Sequence, residues 1–103
     1  MSDERTSRIR RMEETMNRMR RLADRFDALL DEADALDADT RALIDYYGSP
    51  QWHDDMAASD AGALPDDLKC GVLTQDLPDE AVAGWRTTGI RMLEQGVRIV
   101  KSL

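Results

Sequence analysis

The sequence contains a single cysteine, so the chain cannot form an internal disulfide and its core must hold by packing alone. It has no run of about 18 apolar residues, which excludes a membrane-spanning helix. No apolar segment typical of a signal peptide follows the first residues. These absences predict a protein of the bacterial or general cytoplasm, without a membrane partner.

Proline and glycine are missing from residues 1–47, so no helix-breaking residue interrupts this part of the chain. Apolar residues recur there in alternating steps of three and four, the heptad pattern of a helix that packs along one seam. The seam consists of Ile9, Met12, Met16, Met19, Ala23, Phe26, Leu30 and Ala33. We predict a long helix over about 4–34, a bend or short break within 34–40, and a short helix over about 40–47. A single helix that curves through this region is the alternative.

A second long helix is predicted over about 76–101, after a short helix over about 50–60 that Ser49 and Pro50 start. Its heptad seam consists of Val82, Trp85, Gly89, Met92, Gly96, Ile99 and Leu103, and a second apolar stripe of Ile90, Leu93, Val97 and Val100 lies beside it. A glycine inside a helix costs up to about 1 kcal/mol relative to alanine. We therefore expect bulky Met or Phe side chains of the first helix to lie over Gly89 and Gly96.

These segments predict an all-α fold in a single domain, residues 1–103. We expect an antiparallel helical bundle of two long helices joined by a compact segment, about 40–73, that contains one or two short helices. The two adjacent stripes of the last helix need cover on two sides. Because one short segment cannot cover both, we expect a homodimer with Ile90, Leu93 and Val97 near its interface.

Basic residues are scarce between the two ends of the chain. Residues 1–25 hold eight Arg against five acidic residues, whereas residues 26–80 hold only Arg41 and Lys69 against fifteen acidic residues. The net charge of −7 is typical of a poor nucleic-acid binder, because phosphate contacts supply most of that affinity. Solvated helix charge accounts for the N-terminal arginines. A nucleic-acid-associated factor that uses the Arg-rich first helix is kept as an alternative.

Aromatic residues are also few, and three of the five lie in the stretch Tyr46–Asp76, called the connector below. Two sequence blocks stand in it, YYxSxxWxxD and LPxDLKCGVL. Their characteristic residues are Tyr46, Tyr47, Ser49, Trp52, Asp55, Asp67, Leu68, Lys69, Cys70 and Gly71. Both blocks resemble those of a small bacterial family classified only as a domain of unknown function, number forty-two ninety-eight of its series. The resemblance implies a helical fold and no particular activity, substrate or cofactor.

The connector also holds the residues on which chemistry could depend. His53 could ligate a cation together with carboxylates, which are those of Asp54, Asp55, Asp60, Asp66 and Asp67. No recognised metal-binding spacing is present, so helix caps and solvated faces explain these residues, and we predict no metal and no cofactor. Cys70 could act as a nucleophile with Lys69 beside it and His53 as its base. A structural core cysteine is the usual case, and we predict no catalytic residue.

Four aromatic residues, Tyr46, Tyr47, Trp52 and Trp85, could line a ligand pocket. We interpret them instead as an aromatic plug that locks the connector to the long helices. The function that we favour is a non-enzymatic protein–protein interaction or scaffold module, a homodimer with an unidentified protein as a further partner. The alternatives are a small enzyme or a metal- or ligand-binding protein with its site in the acidic connector, and the nucleic-acid-associated factor.

Overall fold

The computed structural model describes residues 2–103, with side chains from Asp3 onwards. The described chain contains no strands, and its elements are α1 (Ser2–Tyr46), α2 (Pro50–Asp60), a 3₁₀ turn (Gly71–Leu73) and α3 (Asp76–Lys101). The predicted all-α fold is therefore confirmed, with two long helices joined by a short segment. None of the described helices combines the length and the apolar character needed to cross a bilayer.

The chain divides into two compact units, Met1–Thr40 and Arg41–Leu103. The described part of the first unit is residues 2–40 of α1, with the seam residues Met16 and Met19 42% and 64% exposed. The second unit contains residues 41–46 of α1, the connector and α3. The single domain expected from the length of the chain stays a prediction.

Helix α1 continues through residues 34–40, so the predicted break there and the separate helix over about 40–47 are wrong. The single-helix alternative describes the structure. Aspartate is a residue type that often caps a helix, but Asp37 and Asp39 both lie inside α1. The Thr40 hydroxyl donates a hydrogen bond of 2.9 Å to the Asp37 carbonyl, and this local bond is compatible with helical backbone. Without Pro or Gly, nothing in the segment forces the helix to end.

The chain reverses out of α1 at Gly48, whose φ of +79° is a left-handed conformation that glycine adopts without steric cost. Ser49 then caps α2, because its Oγ accepts a hydrogen bond of 3.1 Å from the Trp52 backbone N–H. Pro50 occupies the first turn, where a missing N–H costs nothing. Helix α2 is followed by Gly62, with φ of +69°.

Helix α3 begins at Asp76 and carries acidic residues in its first turn and basic residues in its last, which suits the helix dipole. Thr74 supports the start, since its hydroxyl donates to the Gly71 carbonyl at 2.7 Å and accepts from the Leu77 N–H at 3.4 Å. Pro78 is buried in the first turn, where a helix tolerates proline.

The heptad seam of α3 has no cover from the rest of its own unit. A Cβ atom built on Gly89 or Gly96 would meet nothing within 4 Å, and the expectation that Met or Phe side chains of the first helix lie over these glycines stays a prediction. Trp85 and Met92 of the same seam are 48% and 47% exposed. The small residues are therefore not required by packing within the second unit.

Candidate functional site in the connector

Trp52 is the centre of the connector. It is 3% exposed and is the one large apolar side chain that is buried in the described chain. Its indole N–H donates a hydrogen bond of 2.9 Å to the Val72 carbonyl, which links α2 to the 3₁₀ turn. Its ring contacts Tyr47 edge to face, with ring centroids 5.2 Å apart at 87°, and His53 with centroids 5.0 Å apart at 74°. Both arrangements are favoured geometries for aromatic pairs.

The tyrosine next to it holds the two ends of the connector together. The Tyr47 hydroxyl donates a hydrogen bond of 2.9 Å to the Gln75 carbonyl, immediately before α3. Tyr47 thus joins the residue after α1 to the residue before α3, while its ring packs on Trp52. The predicted aromatic plug is present for these two residues. Trp85 does not belong to it, because its side chain is 48% exposed on α3.

Tyr46 makes the second polar link. Its hydroxyl donates a hydrogen bond of 2.5 Å to an Asp55 carboxylate oxygen on α2. This bond raises the pKa of Tyr46 to about 12, because the protonated hydroxyl is the form that can donate; partial burial and the nearby negative charge act in the same direction. The pair consequently holds Tyr46 protonated well beyond neutral pH.

A cavity of about 330 Å³ lies beside this pair. It is lined by Tyr46, Asp55, Leu64, Leu68, Lys69, Cys70, Val72 and Leu73. The lining combines the hydrogen-bonded Tyr46–Asp55 pair and Lys69 with four apolar side chains. The Cys70 thiol is half-buried and donates to the Leu68 carbonyl at 3.4 Å. A carbonyl cannot take the proton of a thiol, so this contact does not create a nucleophile.

The residues of the two sequence blocks therefore meet in one place. Tyr46 and Asp55 come from the first block, and Leu68, Lys69 and Cys70 come from the second; all five line the cavity. Gly71 begins the 3₁₀ turn, where a Cβ would approach Leu77 Cδ1 at 3.2 Å. Asp67 is exposed in the loop before the turn.

Within residues 2–103, no group of three or more His, Cys, Asp or Glu side chains is placed to hold a metal ion. His53 and Asp54 are exposed on α2.

The backbone carbonyls of Val72 and Gln75, which accept hydrogen bonds from Trp52 and Tyr47, could not be predicted from the sequence. Every residue has a backbone carbonyl, so the residue type does not indicate which one is the acceptor.

The family model described as a domain of unknown function (DUF4298) matches residues 9–95. The chain belongs to this family. The DUF4298 match extends well beyond the connector into both long helices, so the family expected from the two sequence blocks is confirmed. No curated protein and no solved structure shows a significant match to the chain.

Proposed function

We propose that this DUF4298 protein is a non-enzymatic interaction module that assembles as a cytoplasmic homodimer through the apolar surface of α3. The observation that supports the proposal is the distribution of apolar side chains. Trp52 is buried, whereas Ile90, Leu93 and Val97 are 44%, 72% and 54% exposed along one side of α3. Burial of apolar surface must offset the conformational entropy that folding removes. An interface would supply burial that the described monomer lacks.

The connector supports the non-enzymatic interpretation. Its most distinctive side chains are used for structure: Trp52 donates to Val72, Tyr47 to Gln75, and Tyr46 to Asp55. These hydrogen bonds fix the path between the two long helices. The connector thereby acts as a rigid end piece from which α3 presents its apolar surface.

The oligomeric state tests this proposal. Analytical ultracentrifugation of the full chain at micromolar concentration should give the mass of a dimer. Leu93→Asp places a charge on the most exposed of the three interface residues and should give a monomer, because a buried unpaired charge is costly. Thr87→Asp is the matched control on an exposed position of the same helix. A parent mass that stays monomeric on concentrating would contradict the homodimer, and a Leu93→Asp dimer would move the interface elsewhere.

A second candidate function is the binding of a small ligand in the connector cavity. The cavity supports it, because its lining combines the Asp55 carboxylate and Lys69 with the apolar side chains of Leu64 and Leu68. A short alkyl amine fits this chemistry, with its ammonium group on the carboxylate and its chain on the leucines. Titration with hexylamine, followed by amide chemical shifts, should affect the cavity residues in the parent and not in Asp55→Asn. Equal shifts with hexanoate would show non-specific apolar binding.

A further inference from the structure

We infer that the uncovered seam of α3 docks on the α3 helix of a second copy, in antiparallel orientation and in one defined register. This inference rests on the proposed homodimer and names the partner element that the seam takes. The α3 seam consists of Val82, Trp85, Gly89, Met92, Gly96 and Ile99. Its large members Trp85, Met92 and Ile99 are 48%, 47% and 46% exposed. An apolar surface of this kind on a folded helix is typical of an interaction site.

The order of large and small residues in the seam fits an antiparallel copy of itself. In an antiparallel pair of heptad helices, each a position faces a d position of the partner. One register sets Trp85 against Gly96 of the second copy and Met92 against Gly89 of the second copy. The twofold axis repeats both contacts. Each bulky side chain then fills the space that a glycine leaves, and the open space at Gly89 and Gly96 is explained.

The same register keeps the ends of the seam paired, with Val82 against Ile99 of the second copy. A shift by one heptad in either direction would leave Val82 or Ile99 beyond the paired seam. A parallel pair would be poorer for a different reason. It would place Trp85 against its own copy and each glycine against its own copy, so crowded layers would alternate with empty ones.

The charges at the two ends of α3 also favour the antiparallel orientation. The first turn of α3 contains Asp76 and Asp79, and its last turn contains Arg98 and Lys101. An antiparallel pair brings each acidic end near the basic end of the second copy, whereas a parallel pair brings like charges together. The helix dipoles add to this preference. Such complementarity determines orientation more than affinity, and no individual ion pair is required.

Of the residues proposed for the homodimer interface, Leu93 lies one position after Met92 on the edge of the seam, so it comes close to its own copy near the twofold axis. Ile90 and Val97 lie on the neighbouring stripe, about one third of a turn around the helix from the seam, and do not take part in the contact between the two α3 helices. They remain available for the further helices of a four-helix assembly.

Disulfide cross-linking of the full chain tests orientation and register together. All variants carry Cys70→Ser, because the native thiol is only half-buried. A tagged Val82→Cys chain is mixed with an untagged Ile99→Cys chain and oxidised. The antiparallel register predicts a mixed disulfide between the two chains, since their Cβ atoms face each other across the pair. Val82→Cys alone should stay unlinked, and Val82→Cys mixed with Met92→Cys is the control for a one-heptad shift.

Two further variants test the glycine spaces without cysteine chemistry. Gly96→Leu should raise the dimer dissociation constant about tenfold to a hundredfold, because the new side chain occupies the place of Trp85 from the second copy. Its helix content should not fall, since no neighbour lies within 4 Å of a Cβ at this position. Adding Trp85→Ala to Gly96→Leu removes the clash, and it should recover part of the affinity that Gly96→Leu alone loses.

The outcomes separate the inference from the proposal on which it rests. A dimer mass with the Val82–Ile99 mixed disulfide and weakened Gly96→Leu association supports both. A dimer mass with disulfides in Val82→Cys alone overturns the antiparallel orientation and leaves the homodimer in place. A dimer mass with a Val82–Met92 disulfide overturns the register. A monomer mass for the parent at the highest concentration overturns the inference and the homodimer together.

Discussion

Replacement of Trp52 by alanine should be the most damaging single change in the connector. The side chain is 3% exposed, packs edge to face on Tyr47 and donates its N–H to the Val72 carbonyl at 2.9 Å. Truncation of a buried tryptophan costs roughly 3–5 kcal/mol, because packing is lost and a cavity remains. A domain of this size has a total unfolding free energy of about 5–15 kcal/mol. The variant should therefore lose a large share of the domain's unfolding free energy.

The melting temperature measured by calorimetry gives the decisive comparison. One kcal/mol corresponds to roughly 4–8 °C for a domain of up to about 100 residues, so Trp52→Ala should lower the melting temperature by more than about 12 °C. Trp52→Phe is the matched control: it keeps an aromatic ring against Tyr47 and should cost less than Trp52→Ala, with about 1 kcal/mol due to the lost hydrogen bond and a further part due to the smaller ring. A melting temperature of Trp52→Ala within a degree or two of the parent would refute the plug and revive a ligand pocket.

Further effects are expected for the Tyr46 hydrogen bond, for two glycines and for binding to DNA. Since the pKa of Tyr46 is raised to about 12 from its usual value near 10, its hydrogen bond contributes stability that is lost as the pH rises from about 10 to 12; Tyr46→Phe should show a smaller decline in calorimetric stability over that window than Tyr47→Phe. Gly48→Ala should destabilise by about 1 kcal/mol in urea denaturation because of its positive φ, whereas Gly84→Ala, with open space around a Cβ, should stabilise by a similar amount. Duplex DNA should show no salt-dependent binding in fluorescence anisotropy at physiological ionic strength, as expected for a chain of net charge −7.

The start of the connector could be predicted from the sequence, because it depends on the conformational preferences of individual residues. Gly48, Ser49 and Pro50 each require a particular backbone conformation, and together they fix the end of α1 and the start of α2. The burial of Trp52 could also be predicted, because aromatic side chains bury a large apolar area and contribute strongly to the core of a small domain. The residues that identify the turn in the sequence are therefore the same residues that form it in the structure.

Features that depend on contacts between distant residues could not be predicted in this way. Asp37 and Asp39 are good caps in isolation, but a cap matters only where the helix ends, and α1 continues past them. Trp85 has the same side chain as Trp52, yet it is exposed because no element of its unit packs on that side of α3. The Tyr46–Asp55 contact joins α1 to α2 across a turn, and residue type alone does not specify that geometry.

Folding of the chain and assembly of the dimer should be coupled. The described monomer buries Trp52 and leaves Met92, Leu93 and Ile99 at least 46% exposed, so a dimer interface on α3 would contribute a large share of its stability. Mass action then requires the melting temperature to depend on protein concentration, because the native state is stabilised by its own association. Each tenfold rise in concentration adds about 1.4 kcal/mol per dimer. Calorimetry over a hundredfold range should show a rising melting temperature for the parent and a constant one for Leu93→Asp. A parent melting temperature that is independent of concentration, at a dimer mass, would show that the two chains remain associated when they unfold.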